Sequence, residues 1–229
     1  MAGSTTHAQV IAQYDFNNPN PSGVGNVSPS NGASAFAATT SDPNLTAGSF
    51  ESGTGFSDIN VAQSDALVVS AFLGLDNGTD DNLADAVMAA DFVSVTLVAN
   101  EGFALDLTSL TFLVSQVQNG AQDYAVFSDV TGFDAADAIA FANNAIPTGP
   151  ITTAGETQTV NLSSAVFDNL SSIEFRVVYD DRFADTDAQS VTALDTFTVN
   201  GSVVTAVPEP SAIAVLGLVS LGILVRRRK

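Results

Sequence analysis

The amino-acid sequence predicts an all-β protein, with a single β-sandwich or jelly-roll-like domain followed by one short C-terminal transmembrane helix. Three observations support this prediction. Strand-like runs in which apolar and polar residues alternate recur along the chain, turns rich in Gly, Asn and Pro separate them, and one uncharged apolar run lies near the C-terminus. A length of 229 residues with 45% hydrophobic residues fits one domain with a sizeable core.

Eight segments have the composition and spacing of β-strands. In the clearest, Ser172–Tyr179, the odd-numbered positions are all apolar, and the even-numbered positions, Val178 among them, form the other face. A period of two with one polar face predicts strands that are buried on one side. We predict strands at Val10–Phe16, Ala66–Phe72, Asp91–Ala99, Leu107–Ser115, Asp123–Ser128, Thr157–Leu162, Ser172–Tyr179 and Thr196–Val204.

Three stretches outside these strands have other signals. Residues 1–8 end in a small-residue pattern like that of a cleaved leader, which favours the remnant of a signal peptide over the alternative, an ordinary N-terminal segment. Asn17–Asn31 is rich in Asn, Pro, Gly and Ser, which predicts a long loop. The Ala-rich stretch Asp134–Ala145 is either a short helix or an irregular loop.

The charge and the rare residue types exclude several classes of chemistry. The part of the chain before residue 206 has 24 acidic residues against Arg176 and Arg182, a formal charge of −22, which repels nucleic acid and anionic lipid. Because the chain has no Cys, it has neither disulfides nor thiolate chemistry. Its one histidine, His7, cannot supply a multi-His metal site, and it lies in the short N-terminal segment.

The C-terminal tail combines an apolar run with a basic end. Ala212–Val225 is fourteen residues without a charge, and as a helix it reaches about 21 Å, short of the ~30 Å core of a bilayer. The basic cluster after it consists of Arg226, Arg227, Arg228 and Lys229. Since Lys and Arg beside a span stay on the cytoplasmic side, the acidic domain is predicted to lie outside the inner membrane.

The tail resembles a known sorting signal. Val207, Pro208, Glu209, Pro210 and Ser211, followed by the apolar run and the basic cluster, are similar to the PEP-CTERM signal of exported bacterial proteins. The resemblance implies that an exosortase, a membrane-embedded sorting enzyme, recognises the tail after it has anchored the protein in the inner membrane. It divides the chain into residues 1–8, a β-sandwich body at 9–205, and the sorting signal at 206–229.

Part of the body also resembles the β-sandwich bodies that are common in PEP-CTERM proteins. Val126, Ser128 and Gly132-Phe133 fill places of a segment that recurs in those bodies. Two features of that segment are missing, because no basic residue stands near Phe127 and Thr131 replaces the usual Asp before Gly132. Any binding capacity that the segment has in relatives is therefore not expected here.

Carboxylates are the only catalytic groups that the composition offers, and aromatic rings are few. Glycoside hydrolysis would need two carboxyl groups at a set distance from each other. The candidates are many Asp and the glutamates Glu51, Glu101, Glu156 and Glu174. We expect these carboxylates to be solvated surface charges instead. Sugar-binding sites usually contain an exposed aromatic platform. The three tyrosines, Tyr14, Tyr124 and Tyr179, all lie in strand patterns that predict packing in or beside the core.

One oxygen-rich loop is a candidate Ca²⁺ site. The segment 76–82 contains Asp76, Asp80 and Asp81, but its third position is Gly78, so the EF-hand spacing fails. The loop is either a solvated turn or a structural Ca²⁺ site, and no other cofactor is expected.

These observations favour a non-enzymatic surface or extracellular-matrix protein that is exported, held for a time in the inner membrane and then sorted to the cell surface. The alternative is a carbohydrate-binding module with extracellular polysaccharide as its partner, and a carboxylate-based glycoside hydrolase is the third class. No nucleic-acid partner is expected.

Overall fold

The computed structural model describes residues 9–16, 33–61, 66–72, 83–117, 120–143, 145–182 and 191–206. In these ranges most of the chain is extended and pairs in antiparallel fashion. The strands are β1 (Gln9–Tyr14), β2 (Thr40–Ser41), β3 (Leu45–Ala47), β4 (Glu51–Ser52), β5 (Phe56–Val61), β6 (Leu67–Phe72), β7 (Phe92–Ala99), β8 (Phe103–Val117), β9 (Ala121–Ser128), β10 (Ala140–Ala142), β11 (Glu156–Asn161), β12 (Ser172–Arg182) and β13 (Val191–Thr205). Two short helices are α1 (Leu83–Ala89) and α2 (Ile151–Ala154).

The strands form two antiparallel sheets, which fits the predicted β-sandwich. Sheet A has the order β11-β8-β13-β1-β2, with β6 paired to β13 and β5 paired to β6. Sheet B has the order β10-β9-β12-β7-β3, with β4 also paired to β7. The last strand, β13, lies inside sheet A, because β8 runs along one side of it while β6 and β1 share the other.

The core between the sheets is rich in aromatic rings. Phe197 on β13 meets Phe50 edge to face at 5.0 Å between ring centroids, and Phe50 meets Tyr14 in the same way at 5.0 Å. Phe112 on β8 stacks on Phe197 at 6.1 Å. Each such pair adds about 0.5–1.5 kcal/mol to the burial of its rings. The cluster joins β1, β8 and β13 to the loop before β4.

All eight predicted strands are present, with shifted ends. The largest shifts are in β8, which begins at Phe103 rather than Leu107, and in β13, which begins at Val191 rather than Thr196. In the Ala-rich stretch the structure has one 3-10 turn at Ala135–Asp137 followed by β10, which matches neither a regular helix nor a wholly irregular loop. Strands β2, β3, β4, β5 and β10 and helices α1 and α2 are absent from the prediction.

The expectation that Val178 lies on a polar strand face is wrong. Val178 is only 2% exposed, and it packs with Ala125 and Phe127 beneath Ala86 of α1. The helix thus gives the outer face of sheet B a small apolar layer of its own. On this part of sheet B both faces are buried, so the alternation there does not separate core from solvent.

Candidate functional site

The predicted sorting residues follow directly on the folded body. The pairing of β13 with β8 continues to Thr205, which lies opposite Phe103, and the N–H of Ala206 donates a hydrogen bond of 2.9 Å to the carbonyl of Gly102. Val207 is the next residue, and Val207–Ser211, the apolar run and Arg226–Lys229 lie outside the described residues. The ordered sheet therefore reaches to within one residue of the predicted motif.

The other sequence-predicted regions divide between described and undescribed residues. Residues 1–8, the loop Asn17–Asn31 and the candidate Ca²⁺ ligands Asp76, Asp80 and Asp81 lie outside the described residues. Among the residues that are described, no group of three or more His, Asp and Glu side chains is placed to hold a metal ion.

The four glutamates that were considered for hydrolysis are spread over the molecule. Glu51 lies on β4 and Glu174 on β12 in sheet B, Glu156 begins β11 in sheet A, and Glu101 lies in the turn between β7 and β8. The side chains of Glu51, Glu101 and Glu156 are exposed. Glu174 is half-buried and forms an ion pair with Arg176, with 2.7 Å between Oε1 and Nε.

The three tyrosines are core residues, as predicted. None is more than 4% exposed. The hydroxyl of Tyr14 donates to the carbonyl of Gly48 at 2.8 Å, and that of Tyr124 donates to Oε1 of Gln158 at 2.8 Å. Burial raises the pKa of Tyr14, Tyr124 and Tyr179 above the ordinary value, since the charged phenolate is poorly solvated there. The tyrosines do not form an exposed platform for a sugar ring.

Arg176 is held between two aromatic rings, a feature that the sequence analysis missed. Its guanidinium carbon lies 3.6 Å from the ring centroid of Phe133 and 4.4 Å from that of Phe92. Together with Val87 and Phe127, these groups line a cavity of about 10 Å³, which is about the space of one water molecule. The only hint in the sequence was a lone arginine in a strand of the acidic body. The cluster fixes a cation by packing and leaves little room for a ligand.

The turn that contains Gly132 and ends at Phe133 serves this packing. Gly132 has a φ of +115°, and a Cβ there would meet Oδ2 of Asp137 at 2.3 Å, so the turn requires glycine. Ser128 is fully buried and Thr131 donates to the carbonyl of Asp137 at 3.2 Å. The turn thereby places Phe133 on Arg176.

The outer face of sheet A presents a second feature that the sequence analysis did not identify. Inner positions of β8, β11 and β13, such as Leu110, Val160 and Val199, are buried in the core, so the alternate residues face outward. The outward residues near the centre of the sheet are polar and uncharged apart from one valine. We call them the uncharged face, which comprises Val10, Gln13, Thr40, Ser109, Thr111, Thr159, Asn161, Thr198 and Asn200.

In the described part of the chain, no helix is long and apolar enough to cross a membrane. The predicted transmembrane run Ala212–Val225 lies outside that part.

Comparison with solved structures gives only distant similarities. The secreted serine protease VesC from Vibrio cholerae matches 63% of this chain at 12% identity with a TM-score of 0.31, and the chain spans 24% of that protein's length. The K1 cleaved adhesin domain of Lys-gingipain from Porphyromonas gingivalis W83 matches 82% of this chain and 95% of its own, at 17% identity and a TM-score of 0.32. The carbohydrate-binding module TmCBM27, described for specific mannan recognition, matches 86% and 99%, at 10% identity and a TM-score of 0.38. All three TM-scores are below 0.5, and none of the three identities exceeds 17%.

Comparison with curated proteins gives no significant match. Comparison with protein families does give one, because residues 206–229 match the PEP-CTERM protein-sorting motif. The matched range contains the Val207–Ser211 motif, the apolar run and the basic cluster on which the sequence-based prediction rested. The chain is therefore a protein with a C-terminal PEP-CTERM sorting motif, carried behind a β-rich body of two antiparallel sheets.

Proposed function

We propose that this protein is an exported, non-enzymatic component of the bacterial cell surface or extracellular matrix, delivered through its C-terminal signal. The observation that carries the proposal is the sorting motif at residues 206–229, joined without a spacer to a folded body that is strongly acidic. A body of charge −22 is kept soluble by its own repulsion, which suits a salty exterior.

The tail serves first as an anchor and then as a sorting signal. Its fourteen-residue apolar run is long enough to stall in the inner membrane but short for a permanent span, and the basic cluster holds its end inside. Pro208 and Pro210 keep the backbone extended next to the membrane, and an extended segment fits a protease cleft where a helix does not. Glu209 adds a charge that an enzyme can select with a paired basic group.

The test is the C-terminus of the mature protein in a host that has an exosortase. Replacing Pro208, Glu209 and Pro210 together by alanine is expected to leave export intact and to block release, because the helix extends and the charge is lost. Glu101→Ala, which removes an exposed acid of the body, is the matched control and is expected to be processed normally. Mass spectrometry of the wild-type surface protein identifies its C-terminal residue. A chain that still ends at Lys229 would contradict the proposal.

A second candidate function is carbohydrate binding at the cell surface, and the uncharged face of sheet A favours it. That face offers many neutral hydrogen-bonding groups side by side, while the body as a whole is acidic. A glycan array probed with the purified protein separates a carbohydrate-binding role from a purely structural one. We propose no catalytic role for the exposed glutamates, and a screen of polysaccharide substrates for released sugar tests that part of the proposal.

A further inference from the structure

We propose that the uncharged face of sheet A binds a neutral, hydroxyl-rich polysaccharide chain. The inference rests on the proposed function, because polysaccharides of this kind are present outside the cell, where the protein is proposed to lie. It starts from a row of five residues on five neighbouring strands. Thr159 on β11 lies opposite Thr111 on β8, and Thr111 lies opposite Thr198 on β13. Gln13 on β1 lies opposite Thr198 and also opposite Thr40 on β2.

A second row runs beside the first. Asn161 on β11 lies opposite Ser109 on β8, Ser109 opposite Asn200 on β13, and Asn200 opposite Val10 on β1. The amide nitrogen of Asn200 donates to Oγ of Ser109 at 3.3 Å, which ties the centre of this row together. Val10 is 41% exposed and adds an apolar patch at one end.

The dimensions of the face suit an extended polymer. With strands about 4.8 Å apart, the five-strand row is about 19 Å long, and the second row lies about 7 Å from it. The area between the two rows is roughly 130 Å², well under the ~800 Å² that each partner of a stable dimer buries. A second copy of the chain therefore gains too little contact on this face, whereas a polymer that also contacts other copies gains by repetition.

The chemistry of the side chains matches sugar hydroxyls. Thr198 is only 8% exposed and its hydroxyl donates to the carbonyl of Thr196 at 3.3 Å, so the contact surface comes from its neighbours in the two rows. Each Thr and Ser hydroxyl there both donates and accepts, and each Asn and Gln amide does the same through separate atoms. Because these groups are neutral, they bind a polyol without the desolvation of a charge. The methyl groups of the threonines and the side chain of Val10 offer apolar contact to the C–H faces of a sugar ring.

The charges around the face select against acidic polymers. Asp15 and Asp195 lie beside the first row, and Asp106 lies beside the second row on the opposite side of the face. Each of these carboxylates accepts a hydrogen bond: Asp15 from Gln13 at 2.6 Å, Asp195 from the N–H of Thr196 at 2.6 Å, and Asp106 from the N–H of Asn169 at 2.8 Å. They flank the rows without interrupting them. A uronate or sulfate chain meets repulsion there, while a neutral chain does not.

Native affinity electrophoresis of the full-length chain in mild detergent tests the inference. The gels contain dextran, galactomannan or hydroxyethylcellulose as neutral probes, and alginate as the anionic one. We expect retardation by at least one neutral probe and none by alginate. The double variant Thr111→Glu, Thr159→Glu is expected to weaken binding about tenfold or more, since two charges then stand in the five-residue row. Ser172→Glu, which adds a charge on the outer face of sheet B, is the control and is expected to bind as the wild type does.

Three results would overturn the inference. They are no retardation by any of the neutral probes, equal retardation by alginate, and unchanged binding by a double variant whose circular dichroism and melting temperature match the wild type. If the double variant loses its fold, Thr159→Glu alone on the exposed edge strand replaces it, and unchanged binding then counts against the inference. If the protein binds no polysaccharide but its C-terminus is processed correctly in the host, only the polysaccharide proposal is contradicted. If the C-terminus is not processed but the protein binds in the gel, only the sorting proposal is contradicted.

Discussion

At the scale of single residues, the three tyrosines give the protein a defined response to alkali. Burial raises the pKa of Tyr14, Tyr124 and Tyr179 in the folded state above the ordinary value of about 10 that the unfolded chain has. The unfolded state therefore loses phenolic protons first. The contribution of these groups to stability is complete below pH ~10 and falls as the pH rises above it.

Ultraviolet absorbance of tyrosinate checks this prediction. As the pH is raised, the folded protein is expected to form almost no tyrosinate until it unfolds, and all three groups then ionise together. Tyr14→Phe is expected to reduce the amplitude of the step by about one third, since the chain has three tyrosines. Gradual ionisation near pH ~10 while the circular dichroism stays native would show that the phenols are open to solvent.

At the scale of elements, α1 is expected to contribute through one buried residue. Ala86 is 5% exposed and packs on Ala125 and Val178, whereas Met88 on the same helix is 78% exposed. Ala86→Asp is expected to lower the free energy of unfolding by about 2–4 kcal/mol, because it buries a charge against an apolar layer. Met88→Asp is the matched control and is expected to change it by less than about 0.5 kcal/mol. Urea denaturation measures both, and equal effects would mean that α1 does not cover the sheet.

The same elements show how far sequence reasoning reaches. The eight long strands were predicted because each has enough residues for a period of two to be visible. Strands β2, β3, β4 and β10 have only two or three residues, so no period exists in them. Strand β5 has six, but its apolar residues Phe56, Ile59 and Val61 do not keep a period of two. Helix α1 has seven residues, about two turns, and the burial of Val178 follows from that helix and not from the strand's own pattern.

The two candidate sites also differ in whether the sequence alone reveals them. The sorting motif was predicted because its parts are contiguous in sequence and need no fold to be read. The uncharged face was not predicted, because Gln13, Thr40, Thr111, Thr159 and Thr198 become neighbours only through the pairing of five strands. Strand β13 also has two register shifts, and each one changes which residues point to the core. A simple alternation along β13 therefore does not reveal which residues belong to the uncharged face.

At the scale of the whole molecule, the charge of −22 before the tail predicts a salt-dependent stability. Added NaCl is expected to raise the melting temperature, because it screens repulsion between exposed carboxylates in the compact state. Millimolar Ca²⁺ is compared with NaCl at equal ionic strength. A larger rise with Ca²⁺ that is lost when Asp76, Asp80 and Asp81 are replaced by Asn would assign a specific site to that loop. A melting temperature that neither salt changes would contradict the role of self-repulsion.

The position of the last strand has a mechanical consequence. While the tail is held in the membrane, any drag on the body is transmitted through β13, which pairs with β8 along one side and with β6 and β1 along the other. Hydrogen bonds in an antiparallel sheet lie across the strands, so a pull along β13 loads them together in shear rather than opening them one after another. A terminal strand at the edge of the sheet would have partners on one side only, so fewer hydrogen bonds would resist the same pull. In the proposed anchored state, the body is thus tethered through a strand whose extraction requires many hydrogen bonds to fail together.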